Sequence, residues 1–129
     1  MNDLAFKKEV LGTVEQICEK VIAAIQPIGF GVLTRIDFDQ KIKEKLNETI
    51  GRTVVLGACN PKLALEAFKQ STDVALLIPC NIVVRELSHG KVIVEAVRPK
   101  KMLDLVKDVS GGALLDTVER DLERVILSL

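Results

Sequence analysis

The sequence has no tryptophan and no tyrosine, and aromatic residues make up 3% of its 129 positions. That removes the side chains on which single-stranded nucleic acids usually stack. Net charge is missing too. Eighteen Lys and Arg balance 18 Asp and Glu, so no whole-molecule field attracts phosphate or a membrane surface. Neither nucleic acid nor membrane is an expected partner. No apolar run approaches the roughly 18 residues that a spanning helix needs; the longest uncharged stretch lies between Asp73 and Arg85. The opening segment, residues 1–10, has acidic and basic side chains where a signal peptide would have an apolar core. One His and three Cys without a C-x-x-C pair give no zinc-ligand spacing, so no metal or other cofactor is expected. An odd cysteine count with no secretory signal argues against a disulfide framework. A cytoplasmic protein with free thiols is the expectation.

What is present is the composition of a folded domain. Hydrophobic residues reach 48% and charged residues 28%, and the length suits one α+β domain over residues 1–129 with a buried core. Residues 4–10 read as a weak opening strand. Thr13 and Gln16 have capping-box spacing, followed by an apolar stripe of Val14, Ile17, Cys18, Val21, Ile22 and Ile25 that ends before Pro27. Cys18 belongs to that stripe and is expected in the core. Phe30, Val32, Thr34 and Ile36 alternate on one strand face. Asp37 and Gln40 repeat the capping spacing before a short charged helix over 38–48.

The central stretch, Val54 to Val84, holds two apolar β-branched runs, each with a Cys-Asn pair: Cys59-Asn60 followed by Pro61, and Cys80-Asn81 preceded by Pro79. Asn60 has the chemistry of an N-cap and Pro61 fits the first helical position, predicting a helix over 61–70 with Ala64, Ala67 and Phe68 on one side. A long strand is predicted over 73–87, broken or bulged at Pro79. Ser88-His89-Gly90 makes a turn into a hairpin partner over 91–97. A short helix from Arg98-Pro99 and a long one after Gly111-Gly112 finish the chain, the latter with Leu114, Leu115, Val118, Leu122, Val125 and Ile126 on one face. The expected architecture is a roughly five-stranded sheet with helices packed on one face.

The segments C-N-P-K-L-A and I-P-C-N-I-V-V, with G-F-G-V-L-T-R-I-D at 29–37 and the hairpin after Asn81, make the chain resemble the family called domain of unknown function 302. The resemblance covers about residues 29–99 and implies an α+β sandwich grouped with TATA-binding-protein-like folds. It implies no DNA binding, since function lives in sites rather than folds, and the family has no established activity. Members often have a histidine soon after the first motif; here Leu65 or Glu66 stands in its place.

The chemistry concentrates at the two motifs. A thiol just before a capped helix, as at Cys59, lies near free N–H groups and the positive end of the helix dipole, which favour thiolate. The plainer reading is a small strand-end residue followed by a helix start. Cys80 would meet Cys59 if the two runs lay parallel across the crossover helix, and would lie about seven rises of 3.3 Å away if they were antiparallel. Asn60, Pro61 and Asn81 are candidate ligand contacts. Their structural alternative is capping and bulge satisfaction. His89 reads as an exposed turn residue, Gly111-Gly112 as a flexible helix entry, and Arg98, Lys100 and Lys101 as a solvated cluster. Two functions compete: a small binding or interaction domain with a polar site at the Cys-Asn motifs and a small-molecule ligand, or a thiol enzyme or sulfur carrier using Cys59 with Cys80. Uncharged strands, apolar at nearly every position, leave a second sheet face to cover, so a homodimer is expected.

Overall fold

The computed structural model describes residues 3–129; Met1 and Asn2, the first residues of the segment read for a signal peptide, lie outside the described residues. The fold is the α+β arrangement expected. Five strands form one sheet in the order β1-β5-β4-β3-β2, with every neighbouring pair antiparallel. Strand β1 (Ala5–Leu11) leads to helix α1 (Val14–Ile25), then β2 (Gly31–Asp37), α2 (Phe38–Leu46), β3 (Thr53–Cys59) and α3 (Pro61–Gln70). The hairpin strands β4 (Cys80–Ser88) and β5 (Lys91–Val97) follow, then α4 (Pro99–Leu103) and α5 (Gly112–Leu127).

Alternation fixes which face is covered. Val54, Leu56 and Ala58 of β3, Ile82 and Val84 of β4, and Val92, Val94 and Ala96 of β5 are fully buried. They pack in one core with Val14, Ile17, Cys18, Val21 and Ile25 of α1 and Val118, Leu122 and Ile126 of α5. The residues between them on β4 and β5, among them Val83, Arg85, Ile93, Glu95 and Val97, are half-buried. Helices therefore cover one face of the sheet. On the other, Lys7 and Arg85 flank Glu95 at 3.2 and 2.7 Å, forming a cross-strand charge row among apolar side chains.

Helix α1 starts as its sequence predicts. Thr13 Oγ1 accepts from the Gln16 N–H and Gln16 Oε1 accepts from the Thr13 N–H, each at 3.1 Å. Ile22 falls outside the buried stripe and is exposed. Three further expectations fail, each for an identifiable reason. Asp37 precedes α2 but makes no cap bond, because its carboxylate accepts from Arg35 and Arg52 instead. The alternation expected from Phe30 to Ile36 is broken by a bulge between Val32 and Thr34. Val32 consequently pairs with buried Ala58, and Thr34 pairs with Gly57 on the opposite face.

The third failure matters most for the site. The strand predicted over 73–87 begins only at Cys80. Ser71 Oγ accepts from the Asp73 N–H at 3.3 Å, and this turn starts a 3-10 segment over Thr72–Leu77. Pro79 cannot donate to a ladder, so pairing resumes one residue later.

Candidate functional site

The β3–α3 junction is built by Asn60. Its Oδ1 accepts from the Leu63 N–H at 3.1 Å, the N-cap that the sequence predicts, and Pro61 takes the first helical position. Its Nδ2 donates to the Ile28 carbonyl at 3.5 Å, which ties this junction to the turn before β2. Gly29 sits under the same amide with φ +91°, and a Cβ there would stand 3.1 Å from Asn60 Nδ2. Glycine meets both demands. On α3 itself, Leu63 and Ala67 are buried, while Phe68, expected on the same side as Ala67, is exposed.

Strand β3 ends at Cys59 and β4 begins at Cys80, with Ala58 opposite Cys80 in the ladder. The two strands are antiparallel, an arrangement expected to separate the thiols. Both nonetheless come to one end of the sheet, because residues 73–79 are not strand and the chain returns to the end of β3 before pairing begins. Cys59 and Cys80 both line a half-open cavity of about 50 Å³ between the sheet end, α3 and α4. This exceeds the roughly 10–15 Å³ that one water centre requires. Leu63, Ala67, Val74 and Leu77 supply apolar wall, and Met102 and Leu103 of α4 close one side.

Three of the residues singled out in the sequence, Cys59, Asn60 and Cys80, thus share one pocket. Pro61 lies outside it, on an adjacent shallow groove with Ile28 and Gly29. Asn81 is exposed and pairs with Gly57, the residue that alternates away from the helix-covered face. It takes no part in lining the cavity. All three cysteines are free. Burial pushes the Cys59 thiol up from its ordinary value. Burial, reinforced by the charge that Cys59 would carry, pushes Cys80 up to about 11. Both therefore rest as neutral thiols near pH 7, contrary to the activation expected for a cysteine before a helix. The capping Asn60 already occupies the Leu63 N–H, and Pro61 has none to offer. Cys18 is buried in the core, where desolvation raises its thiol as well.

Met102 and Leu77 were not legible as site residues, since K-K-M-L and V-A-L-L are ordinary apolar patterns. A second cluster also escaped the sequence. Arg52, just before β3, donates to Asp39 at 2.8 Å, Glu15 at 2.6 Å and Asp37 at 3.1 Å; Arg35 joins Glu15 and Asp37 at 2.7 and 3.0 Å. This network clasps α1, β2, α2 and β3 together. The basic cluster near α4 is paired rather than simply solvated. Arg98 donates to buried Glu119 at 2.9 Å and lies 5.3 Å over the Phe6 ring, Lys100 pairs with Asp116 and Lys101 with Asp3, each at 2.9 Å. His89 is exposed in the hairpin turn. Gly111 packs against Leu115, where any Cβ would collide. Among the described residues, no group of three or more His, Cys, Asp or Glu is placed to hold a metal ion, and no helix is long and apolar enough to cross a membrane.

No curated protein matches this chain. A crystal structure of an uncharacterized conserved DUF302 protein from Bacillus stearothermophilus shares 22% identity and matches with a TM-score of 0.77, covering 97% of this chain and 94% of that one. That likeness establishes the fold. The family model described as "Domain of unknown function DUF302" matches residues 6–129, well beyond the two Cys-Asn motifs, and the chain belongs to that family.

Proposed function

We propose that this chain is a small binding domain whose ligand enters the pocket where Cys59, Asn60 and Cys80 converge. The observation that carries the reading is a half-open apolar cavity of about 50 Å³ with two free thiols in its wall. Asn60 spends its amide on the Leu63 N–H and the Ile28 carbonyl, so it shapes the pocket and leaves recognition to sulfur and apolar surface. A small neutral methanethiosulfonate should label Cys59 and Cys80, whereas a bulky anionic aromatic disulfide should not. Ala64→Leu, at the pocket wall, should slow the small reagent. Equal labelling by both reagents, or by neither, would remove the pocket from consideration.

The competing reading is a thiol enzyme or sulfur carrier in which Cys59 attacks and Cys80 resolves. Their convergence on one cavity favours it. The raised thiols oppose it, because the thiolate is the nucleophile. The binding reading is the better supported of the two. Three unpaired cysteines also fit a reducing compartment such as the cytoplasm.

The same chain is proposed to form a homodimer through the sheet face that the helices leave uncovered. Val83, Ile93 and Val97 supply apolar area there, and the Lys7–Glu95–Arg85 row has both signs of charge, so a second copy rotated by a two-fold axis can match it.

A further inference from the structure

The two pocket thiols are not the only sulfur in the wall. Met102 of α4 lines the same cavity as Cys59 and Cys80, so three sulfur-bearing side chains from three separate elements face one small space. The remaining wall is apolar apart from Asn60, whose amide is already engaged. No carboxylate and no imidazole lines it; His89 sits at the far end of β4, in the hairpin turn. Hard cations and tetrahedral nitrogen-rich sites have nothing to use here. Thiolate and thioether donors select soft ions.

We propose that Cys59, Cys80 and Met102 form a site for a soft monovalent metal ion, of the copper(I) and silver(I) class. This deepens the binding reading and rests on it, since the ion must enter the same pocket. Binding replaces two S–H bonds with two sulfur–metal bonds and releases two protons to solvent, while the Met102 thioether donates a lone pair and loses nothing. No oxidant or reductant is consumed. The product has one net negative charge, shared among the sulfurs and the ion. A cysteine binds the metal as thiolate, so each S–H proton must leave and the apparent affinity rises with pH.

Silver(I), supplied as nitrate in chloride-free buffer, tests this without a reductant. The expected result is one ion per chain, two protons released per ion, a raised melting temperature, and protection of Cys59 and Cys80 from the small methanethiosulfonate. Cys18→Ala should leave all of this intact. Cys59→Ser and Cys80→Ser should each weaken binding by more than about 100-fold, and Met102→Leu, which keeps the apolar volume, by about 10-fold. Should Met102→Leu bind silver(I) as the parent does, the three-sulfur site is wrong. Labelling of both thiols by the small reagent without stoichiometric silver binding would overturn the metal site and leave the pocket standing. Failure of both would overturn the two together.

Discussion

The Pro79 ring lies against Gly57 so closely that a Cβ on Gly57 would stand 2.6 Å from Pro79 Cγ, with Thr34 Oγ1 crowding it from the other side. Gly57 is thus the gap that lets the chain between the 3-10 segment and β4 lie against β3, and it fixes where Cys80 begins to pair. Gly57→Ala should cost about 1–3 kcal/mol by overpacking, read from chemical denaturation. It should also speed alkylation of Cys80 in the folded protein. An unchanged denaturation midpoint would mean that the neighbours yield freely.

Asn60 is expected to act through stability. Asn60→Ala removes the cap on α3 and should cost about 0.5–2 kcal/mol. Asn60→Asp retains an oxygen for the Leu63 N–H but loses the donor to Ile28, so it should recover most of the loss. Its charge beside Cys59 should raise that thiol further. An unshifted melting temperature in Asn60→Ala would contradict the cap.

Iodoacetamide alkylation across pH distinguishes a resting thiol from an activated one. Burial raises both pocket cysteines, so their reaction should be slow at pH 7 and climb only in alkali, Cys80 with an apparent value of about 11. An apparent value below about 8.5 for Cys59 would favour the enzyme reading instead.

The Arg52 cluster predicts the shape of the acid limb. Hydrogen bonds from Arg35 and then Arg52 hold Glu15 below the usual carboxylate range, and Arg35 foremost does the same for Asp37. Burial works against Asp39, but the Thr53 N–H and Arg52 outweigh it. Depressed carboxylates contribute stability that is fully present above their unfolded values, about 4, and lost as pH falls through the folded ones. Arg52→Gln should lower stability at pH 7 and flatten its decline between about pH 4 and 2. A parallel decline in parent and variant would remove the cluster from the acid response.

Sedimentation at micromolar concentration should give a dimer, and Ile93→Lys on the uncovered face should convert it to a folded monomer. A monomeric parent would end the proposal of self-association.

The sequence displayed local chemistry well and geometry poorly. Thr13, Asn60 and Pro61 declared two helix starts because capping depends on neighbours within one turn. The same logic misled at Asp37, whose carboxylate is drawn to Arg52, a residue 15 positions away that no local pattern reveals. The two Cys-Asn motifs marked the site, yet placing Cys59 and Cys80 on one cavity depended on reading residues 73–79 correctly. V-A-L-L-I-P looks like strand, and the Ser71 turn together with Pro79 overrides it. Met102 carried no signal at all, since an apolar residue in a short helix points nowhere until α4 is docked.

The two outer strands give the sheet a property beyond its fold. On β1, Lys8 holds the register position opposite Val94, on the side the helices cover, and Lys7 stands beside it on the other. On β2, the bulge between Val32 and Thr34 interrupts the run of free donors and acceptors. Charges and bulges at outer strands spoil the template on which a further strand would add. Both features oppose growth of the sheet from either end, in keeping with a proposed dimer that is face to face. A contact of that kind would consume its own surface and stop at two, while the residues that make the edges irregular oppose ribbons and fibres.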